Sequence, residues 1–555
     1  MKVTVAKKIS KTLAQLGVTH VFGMSSPELL HMEFPSLGIC SVTIRTEKDG
    51  AIMADAYSRV TGKVGVCATM RGIGALNIVP GIAEAWRSSI PVVALIDDIK
   101  TNHIGRNPAQ ELDQARVFRP ITKKVLRLES PELASKMVVE AFTTATTGRP
   151  GPVALLLPSD KLAAEINEDI EDINFDLKYF HNSQKFCPNQ STLLKAAEML
   201  NTAKRPVILA GGGAVRSEAW VEIRLLAEKL GAPVATSMMG AGAISEKHPL
   251  SIGIIGAMTE GKLGRGEIAR GLISTADCLL ILGCKMDQVT TCDWSEVYAK
   301  KSIIQIDIDS SEIGRNYMPQ IPLVGDIKTT LKGLTKNIKK SENRRDIVEA
   351  TIANKFKDWE SSLEQRISKS QQLTPEKVMK AITNILGDEW IVVADASFST
   401  SWCCNYLRFG EGRVFLSPRG LAGIGWALSA AIGAKTALPK SNVLCVAGDG
   451  AFAYTIHELE TAARTNTKVI AIVLNNSVLA YQKHYEIKSF GRAVGCDLGK
   501  VNFAEIAKAQ GCDGVKVNLE LELEPALNKA LSSDKTFVVD ISVPEGCMPP
   551  ISYFD

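Results

Sequence analysis

The stretch from Gly448 to Asn476 contains residue types that could bind a metal ion and a phosphate group. It reads as a strand at 443–447, a Gly-Asp-Gly turn, an amphipathic helix and a second buried strand at 469–474, which two asparagines follow. A parallel crossover returns both strand ends to one edge of the sheet, so we expect Asp449 and Asn476 to lie close together. Because an acid, an amide and the free amides of a helix N-terminus would meet there, we predict a site for a magnesium-bound diphosphate.

A Gly-Asp-Gly turn is weak evidence when it stands alone, because such turns are common and most of them bind nothing. Here the turn is followed by a helix, a strand and a pair of asparagines in the order that a βαβ unit requires. That combination is more specific than the tripeptide, and it resembles the diphosphate motif of thiamine-diphosphate (ThDP) enzymes.

The elements that must position these residues indicate an α/β fold. Short runs rich in Val, Ile and Leu alternate with helical patterns along most of the chain. Strands that read as continuous apolar runs are typical of parallel sheets covered by helices on both faces. We therefore predict three doubly wound parallel-sheet domains. The predicted boundaries are 1–170 for the first domain, 171–190 for a linker, 191–340 for the middle domain, 341–370 for a second linker, and 371–555 for the third domain with a proline-rich C-terminal lid.

Composition excludes several classes of partner. The chain has 555 residues and a net charge of only +4, with basic residues scattered among acidic ones. We therefore expect small-molecule partners and neither nucleic acid nor a membrane. The twelve cysteines show no zinc-binding spacing. Since the N-terminus also lacks a signal-peptide pattern, we expect free thiols and a cytoplasmic location.

Nearly the whole chain resembles the ThDP-dependent superfamily that includes acetohydroxyacid synthase, oxalyl-CoA decarboxylase and benzaldehyde lyase. The resemblance implies a pyrimidine-binding domain, a middle domain and a diphosphate-binding domain, in that order. Five collinear stretches carry it: IRTEKDGAIMADAYSRVTGKVGV, RGIGALNIVPGIAEAWRSSIPVV, NPAQELDQARVFRPITK, QIDIDSSEIGRN and RGLAGIGWALSAAIGA.

The resemblance assigns catalysis to Glu47. In the family a glutamate at this position bonds the aminopyrimidine ring and favours its imino tautomer, which removes a proton from the thiazolium carbon. A lone glutamate at a helix start would more often only complement the helix dipole. The surrounding EKDGAIMADAYSRVTG sequence favours the catalytic role.

The remaining cofactor contacts are also implied by the resemblance. Ile424 would hold the cofactor bent, and the carbonyl of Ala422 beside Gly423 would accept a bond from its exocyclic amine. Magnesium would be bound by Asp449, Asn476 and the backbone carbonyl of Val478. The diphosphate would face Gly448, Gly450, Ala451, Ser397 and Ser399. In the family Glu47 and the metal motif of one active site come from different subunits, which implies a homodimer or homotetramer with active sites at the dimer interface.

The positions that would face the substrate depart from acetohydroxyacid synthase. They are Ser25, Ser26, Glu28, Arg71, Ala109, Gln110, Tyr481, His484 and Tyr485. Arg71 could bind a carboxylate or another anion through two hydrogen bonds, or it could pair with a nearby acid such as Glu28 or Glu111 and only shape the pocket. Ala109 opens space on the same side, which predicts a bulkier substrate than that of the synthase.

The middle domain leaves its ligand open. A glycine-rich run begins at Gly211, but a complete G-x-G-x-x-G pattern with a later acid is missing. The segment GCKMDQVTT resembles one that borders FAD in the synthase, although Lys285 replaces its first arginine. FAD, an ADP-like ligand and an empty site all fit this pattern.

We predict a ThDP- and Mg²⁺-dependent enzyme that cleaves or forms a carbon–carbon bond next to a carbonyl. The leading hypothesis is decarboxylation and carboligation of 2-ketoacids, as in acetolactate synthase. An acyloin or 2-hydroxyacyl lyase of the benzaldehyde lyase kind is the alternative. A ThDP-binding relative without catalysis is a third hypothesis, which the joint presence of Glu47, Asp449 and Asn476 disfavours.

Overall fold

Three six-stranded parallel sheets, each flanked by helices, form the protein. The computed structural model describes residues 2–167, 176, 177, 180, 185–341 and 343–554. The sheets follow one another along the chain, which confirms the predicted α/β class with three parallel sheets. A short antiparallel pair, β1 (Lys2–Thr4) with β8 (Glu165–Asn167), joins the two ends of the first block.

The N-terminal sheet has the strand order β3-β2-β4-β5-β7-β6. Its strands are β2 (His20–Gly23), β3 (Cys40–Thr43), β4 (Gly65–Thr69), β5 (Val92–Asp98), β6 (Lys124–Arg127) and β7 (Val153–Pro158). The helices of this block are α1 (Val5–Gln15), α2 (Glu28–Glu33), α3 (Glu47–Thr61), α4 (Ile73–Asn77), α5 (Val79–Ser88), α6 (Gln114–Phe118), α7 (Ala134–Thr146) and α8 (Ser159–Ala163).

The middle sheet has the order β11-β10-β9-β12-β13-β14. Its strands are β9 (Pro206–Ala210), β10 (Val234–Thr236), β11 (Ser251–Ile254), β12 (Cys278–Leu282), β13 (Ser302–Asp307) and β14 (Ile321–Val324). Its helices are α9 (Gln190–Thr202), α10 (Gly212–Arg216), α11 (Trp220–Leu230), α12 (Gly266–Thr275), α13 (Ile327–Thr335) and α14 (Arg344–Lys369). The sequence did not predict β11 and β14, since a glycine in one and a proline in the other weaken the strand pattern.

The C-terminal sheet has the order β16-β15-β17-β18-β20-β19. Its strands are β15 (Ile391–Ala394), β16 (Phe415–Leu416), β17 (Val443–Gly448), β18 (Ile470–Asn475), β19 (Asp513–Val517) and β20 (Phe537–Ser542). Its helices are α15 (Pro375–Ile385), α16 (Phe398–Tyr406), α17 (Ala427–Ala437), α18 (Asp449–Ala453), α19 (Glu458–Arg464), α20 (Ala480–Phe490), α21 (Phe503–Ala509) and α22 (Glu520–Ser532).

The connection between β17 and β18 differs from the prediction of one amphipathic helix. It contains two short helices, α18 and α19, separated by a turn at 454–457. The β-branched residues Thr455 and Ile456 in this turn have lower helix propensity than unbranched residues. The helix α18, which begins at Asp449, has only five residues.

The first and third blocks share one hydrophobic core, in which α3 packs against α17. Gly433 permits this close approach, because a Cβ there would lie 2.4 Å from the backbone oxygen of Met53. The packing matters for the site, since α3 begins at Glu47 and α17 directly follows the loop that carries Ala422 and Ile424.

Of the two predicted linkers, only the second lies almost entirely among the described residues. The segment 171–190 lies largely outside the described residues. The segment 341–370 contains the 26-residue helix α14. The domain boundaries stay predictions. Among the described helices, none is both long and apolar enough to cross a membrane.

Candidate functional site

Asp449 and the turn after β18 meet at the carboxyl edge of the C-terminal sheet. The Asp449 Oδ2 atom accepts a hydrogen bond of 2.6 Å from the Ser477 amide. Its Oδ1 atom accepts a bond of 2.9 Å from the Gly450 amide. The Asn476 Oδ1 atom accepts a bond of 3.3 Å from the Val478 amide. The three predicted metal ligands therefore come from two adjoining turns, at the strand ends that the βαβ pattern places side by side.

The electrostatics of Asp449 suit a cation. Burial raises the pKa of its carboxyl, and the nearby Asp540 acts in the same direction, while the Gly450 and Ser477 amides oppose the rise. A divalent cation beside the carboxylate would favour its ionised form. Carboxylate, amide and backbone oxygens are also the ligand types that Mg²⁺ prefers. The donor set of this edge thus fits a magnesium ion.

Three residues other than glycine adopt left-handed backbone conformations around this edge. They are Ser397 with a φ of 70°, Ala422 with 57° and Ser477 with 58°. Each such residue costs on the order of 1–3 kcal/mol and persists where its surroundings fix it. Backbone strain of this kind concentrates at ligand sites, and Ser397 and Ala422 both line the cavity described next.

A cavity of about 530 Å³ lies over this edge. Most residues predicted to contact the cofactor or the metal line it: Ser397, Ser399, Ala422, Ile424, Gly448, Asp449, Gly450, Ala451, Asn476 and Val478. Gly423 lies in the chain between two of these residues. Other lining residues are aromatic, among them Phe398, Trp402, Tyr481 and Tyr553. The cavity has room for a large, partly apolar ligand.

The loop that carries Ala422 and Ile424 is held by two carboxylates that the sequence did not predict. Asp395 accepts bonds from the amides of Gly425 at 3.0 Å, Trp426 at 2.9 Å and Ala427 at 2.8 Å.

Glu84, from the N-terminal domain, holds the other end of the same loop. It accepts bonds of 2.7 Å from each of the Gly420 and Leu421 amides. The only signal for Asp395 was its position directly after a predicted strand. Nothing in the sequence pattern indicated Glu84, which is 336 residues from Gly420 in the chain.

Glu47 is the first residue of α3 and is 7% exposed. The Asn77 side-chain amide donates a bond of 3.0 Å to its Oε2 atom. Its backbone turn is held by Glu458 from the C-terminal domain, whose Oε1 atom accepts bonds from the amides of Arg45 at 2.8 Å and Thr46 at 3.2 Å. The sequence singled out neither Asn77 nor Glu458 for this role.

Within one chain, Glu47 and the Asp449 cavity are separate. Among the described residues that line the cavity, Glu47 does not occur, and neither does any other residue of the N-terminal domain. Glu47 instead lies beside Asn77 on α4, where Ile73 and Leu76 are 57% and 42% exposed. Within one chain Glu47 thus lies outside the cavity, beside exposed apolar residues.

Arg71 pairs with a nearby acid, as one of the two hypotheses expected, but that acid is neither Glu28 nor Glu111. The Arg71 guanidinium instead forms an ion pair with the buried carboxylate of Asp97 at the end of β5. Burial raises the pKa of Asp97 to about 6, although Arg71 opposes the rise. Glu111 accepts a bond of 2.7 Å from the Gly105 amide. Arg71 therefore has a structural partner that the sequence did not identify.

The other predicted pocket residues fall into two groups. Ser25, Ser26, Glu28, Ala109 and Gln110 lie on loops of the N-terminal domain.

The second group lies on α20 of the C-terminal domain. Tyr481 and His484 have ring centroids 5.7 Å and 5.8 Å from that of Phe398. Tyr485 is 46% exposed and contacts Phe490. Of the predicted pocket residues only Tyr481 lines the cavity, so one chain does not bring the two groups into a single pocket.

A crevice lies between β9 and β12 of the middle sheet, because the connections that follow these two neighbouring strands run in opposite directions. Gly213 and Arg216 line a cavity of about 180 Å³ there, together with Asp307 and Asp326. Burial lowers the pKa of Arg216 to about 9, and the neighbouring Arg59 and Arg413 lower it further.

Lys285 adds a second perturbed cation to this crevice. Burial lowers the pKa of its ammonium group to about 8, and the neighbouring Arg149 acts in the same direction. A crevice at such a switch point, with cations that repel one another, is suited to an anionic ligand.

Comparison with known proteins agrees with this geometry. Residues 3–117 match the N-terminal TPP binding domain of thiamine pyrophosphate enzymes, 193–334 match their central domain, and 395–541 match their C-terminal TPP binding domain. The probable acetolactate synthase large subunit of Methanococcus aeolicus is 32% identical over 90% of this chain and 85% of its own. That of Methanocaldococcus jannaschii is 31% identical over 98% and 93%. The acetolactate synthase large subunit of Buchnera aphidicola is 32% identical over 97% and 94%.

Proposed function

Since the chain belongs to the thiamine pyrophosphate enzymes, we propose that it decarboxylates a 2-ketoacid and joins the remaining fragment to a second carbonyl compound. The proposal rests on the finding that Asp449, Asn476 and Val478 line one cavity of about 530 Å³. The buried Glu47 also supports it. The relatives named above are acetolactate synthase subunits, which favours carboligation over the lyase alternative.

The residues of the cavity fit ThDP and Mg²⁺. Asp449, Asn476 and the Val478 carbonyl would bind the metal ion, and the Gly450 and Ala451 amides would face the diphosphate. Ile424 would support the bend between the two rings. When bound, ThDP supplies an electron sink for the carbon that loses CO₂.

Glu47 would hold the proton that the cofactor ring needs for its tautomer change. The carboxyl is 7% exposed, so water competes little for it. The Asn77 side-chain amide donates a hydrogen bond to the Oε2 atom of Glu47, so the Oε1 atom remains available for a ligand. This arrangement argues against a ThDP-binding protein without catalysis, since mere binding requires no buried acid at this position.

We propose that the enzyme is a homodimer, or a homotetramer built from such dimers. Within a single chain the cavity contains no residue of the N-terminal domain among its described lining. A second copy that places its Glu47 over the Asp449 cavity would complete the site and cover exposed Ile73 and Leu76. The count of subunits can be measured by light scattering with and without ThDP.

Product analysis tests the proposed reaction. Purified protein with ThDP and Mg²⁺ is supplied with pyruvate, and CO₂ and the carbon products are quantified. Release of CO₂ together with acetolactate supports the proposal. Cleavage of acyloins without ligation of pyruvate would favour the lyase alternative, and no turnover of either class would contradict an enzymatic role.

For the middle domain we propose an ADP-like ligand rather than FAD. The cavity beside Asp307 and Arg216 offers about 180 Å³. Its continuation toward Lys285 and Arg419 offers only about 80 Å³, which is narrow for a three-ring flavin. Arg216 lines this cavity and supplies positive charge for phosphates. Calorimetry with ADP and with FAD separates the two, and a yellow purified protein would contradict this choice.

We also propose a cytoplasmic location. All twelve cysteines lie among the described residues and are free thiols. Unpaired thiols are typical of a reducing compartment.

A further inference from the structure

His457 lies between two acidic side chains that belong to different domains. It directly precedes Glu458, the first residue of α19. Its Nε2 atom lies 2.8 Å from the Oδ2 atom of Asp49 on α3 and 3.7 Å from the Oε1 atom of Glu458. The imidazole is 34% exposed, so it can exchange protons with water.

The two acids are buried, and neutral donors fix one of them in place. The side chains of Asp49 and Glu458 are both 0% exposed. Asp49 accepts hydrogen bonds from the hydroxyls of Thr46 and of Ser429 on α17. Burial raises the pKa of Glu458, and the charge of Asp49 raises it further, while His457 opposes the rise. Neighbouring buried carboxylates repel each other unless a cation lies beside them.

Lys48 supplies one of the two positive charges that these acids need. Its Nζ atom lies 3.8 Å from the Oδ1 atom of Asp49. In the part of the chain that the structure describes, the ion-pair partners of Asp49 are Lys48 and His457. The partner of Glu458 there is His457. A neutral imidazole therefore leaves one negative charge uncompensated, whereas an imidazolium ion balances the pair of acids.

Other charged side chains on the adjoining segments have partners of their own. Arg45 and Arg464 both form ion pairs with Glu460, with N–O distances of 3.8 Å and 3.0 Å. The carboxylate of Glu47 accepts its hydrogen bond from Asn77. The charge state of the histidine thus decides whether the two buried acids are balanced.

Glu458 connects this balance to the catalytic glutamate. Its Oε1 atom, the one near His457, accepts the amides of Arg45 and Thr46. These two residues directly precede Glu47 in the chain. An ionised carboxylate is a strong acceptor of amide hydrogen bonds, and it holds them best when a neighbouring charge does not push it away.

We propose that His457 is a positioning residue whose positive charge holds the turn before Glu47 for the reaction proposed above. The inference rests on that proposed function and adds a pH dependence to it. Histidine side chains change their charge between about pH 5 and about pH 8. As pH rises through this range the imidazolium gives its proton to water, the repulsion between Asp49 and Glu458 is no longer balanced, and the turn loses rigidity. The affinity for ThDP should be retained, since neither acid lines the Asp449 cavity.

A shared metal ion is the other way to balance these side chains. One ligand atom from each of Asp49, His457 and Glu458 lies within 4.8 Å of the other two. However, both oxygens of Asp49 already accept hydroxyl bonds, and the Lys48 ammonium group lies beside one of them. A metal ion would have to displace these contacts, whereas a proton on the imidazole keeps them all.

The first test follows kcat across pH. Wild type, His457→Gln and His457→Lys, saturated with ThDP and Mg²⁺, are given pyruvate. Glutamine keeps a hydrogen-bond donor without the charge, so we expect kcat about fivefold below wild type at about pH 6 and equal to it at high pH. His457→Lys keeps the charge, so it should recover part of the loss at about pH 6 and show a smaller decline as pH rises. KM for pyruvate should change little.

The matched control is another histidine that pairs with a glutamate. His248 of the middle domain has its Nε2 atom 3.3 Å from the Oε1 atom of Glu228. Because this pair makes no contact with the turn before Glu47, His248→Gln should follow the wild-type pH profile.

Hydrogen–deuterium exchange measures the turn without turnover. The amides of Arg45 and Thr46 are followed in the protein without substrate, and each variant is compared with wild type at the same pH. We expect exchange about tenfold faster in His457→Gln at about pH 6, and no difference at high pH. His457→Lys should restore the protection. This result supports the inference even if the proposed reaction fails.

Three results would overturn the inference. The first is a loss of kcat in His457→Gln by the same factor at every pH, which would assign the histidine to folding alone. The second is unchanged exchange of the Arg45 and Thr46 amides. The third is faster exchange of these amides in wild type after addition of EDTA, which would assign the cluster to a metal ion. Absence of product from wild type would instead count against the proposed function alone.

Discussion

The Oε1 atom of Glu458 accepts a hydrogen bond of 3.2 Å from the Thr46 amide, so the C-terminal domain holds the backbone immediately before Glu47. The two residues are 412 positions apart in the chain. The Arg45 amide donates to the same oxygen at 2.8 Å. The turn that presents Glu47 is therefore fixed by the domain that also contains the Asp449 cavity.

Glu458→Gln should lower kcat more than it changes the affinity for ThDP. An amide oxygen is a weaker acceptor than a carboxylate, so the turn before Glu47 loses rigidity while the metal edge is untouched. We expect a loss of about tenfold in kcat, measured at saturating cofactor. Glu505→Gln, a change at an exposed side chain on α21, is the control. A variant with unchanged kcat would show that this contact serves folding only.

Asp449→Ala and Asn476→Ala should each abolish Mg²⁺-dependent binding of ThDP, because each removes a hard oxygen ligand and leaves the diphosphate charge poorly neutralised. Calorimetric titration with ThDP in the presence of Mg²⁺ or of a chelator measures this. Asp513→Ala, which changes an acid on another strand of the same sheet, serves as the control. Tight binding by Asp449→Ala would place the metal site elsewhere.

Arg71→Ala should impair charged and neutral substrates to the same degree, because Arg71 already has a partner in Asp97. Removing it leaves a buried carboxylate unpaired, which should lower the melting temperature. KM values for pyruvate and for a neutral acyloin, with thermal unfolding, provide the measurement. A selective rise in KM for pyruvate would restore the hypothesis that Arg71 binds the substrate anion.

Because the pKa of Asp97 is raised in the folded protein, the free energy of unfolding should fall as pH rises. Its pKa is raised to about 6 in the folded protein from an ordinary value of 3.8, so the folded state binds the proton more tightly than the unfolded state. Its stabilising contribution is complete below the ordinary value and is lost as pH rises through about 6. The stability of wild type relative to Asp97→Asn should therefore decrease between about pH 4 and about pH 6. Denaturant unfolding at each pH tests this, and a flat difference would contradict it.

Sequence reasoning succeeded where chain topology alone decides the outcome. A βαβ unit puts two strand ends at one edge whatever the side chains are, and this places Asp449 beside Ser477. Continuous apolar strands likewise predicted the three parallel sheets. The single helix expected between β17 and β18 was wrong, since the β-branched residues between α18 and α19 favour a turn.

Contacts between domains could not be predicted from periodicity. Glu84 with Gly420 and Glu458 with Thr46 join residues more than 300 positions apart. The partner of Arg71 was missed because Asp97 directly follows a predicted apolar strand, and the strand pattern does not indicate which distant side chain pairs with it.

The central claim is that this chain is a ThDP-dependent enzyme whose proton chemistry depends on Glu47. The most direct test is the turnover of pyruvate by Glu47→Gln beside wild type, at saturating ThDP and Mg²⁺, with cofactor affinity measured on the same preparations. An amide cannot support the tautomer change, so we predict a loss of kcat on the order of a hundredfold or more with nearly unchanged affinity for ThDP. Wild-type turnover by the purified variant would contradict the account.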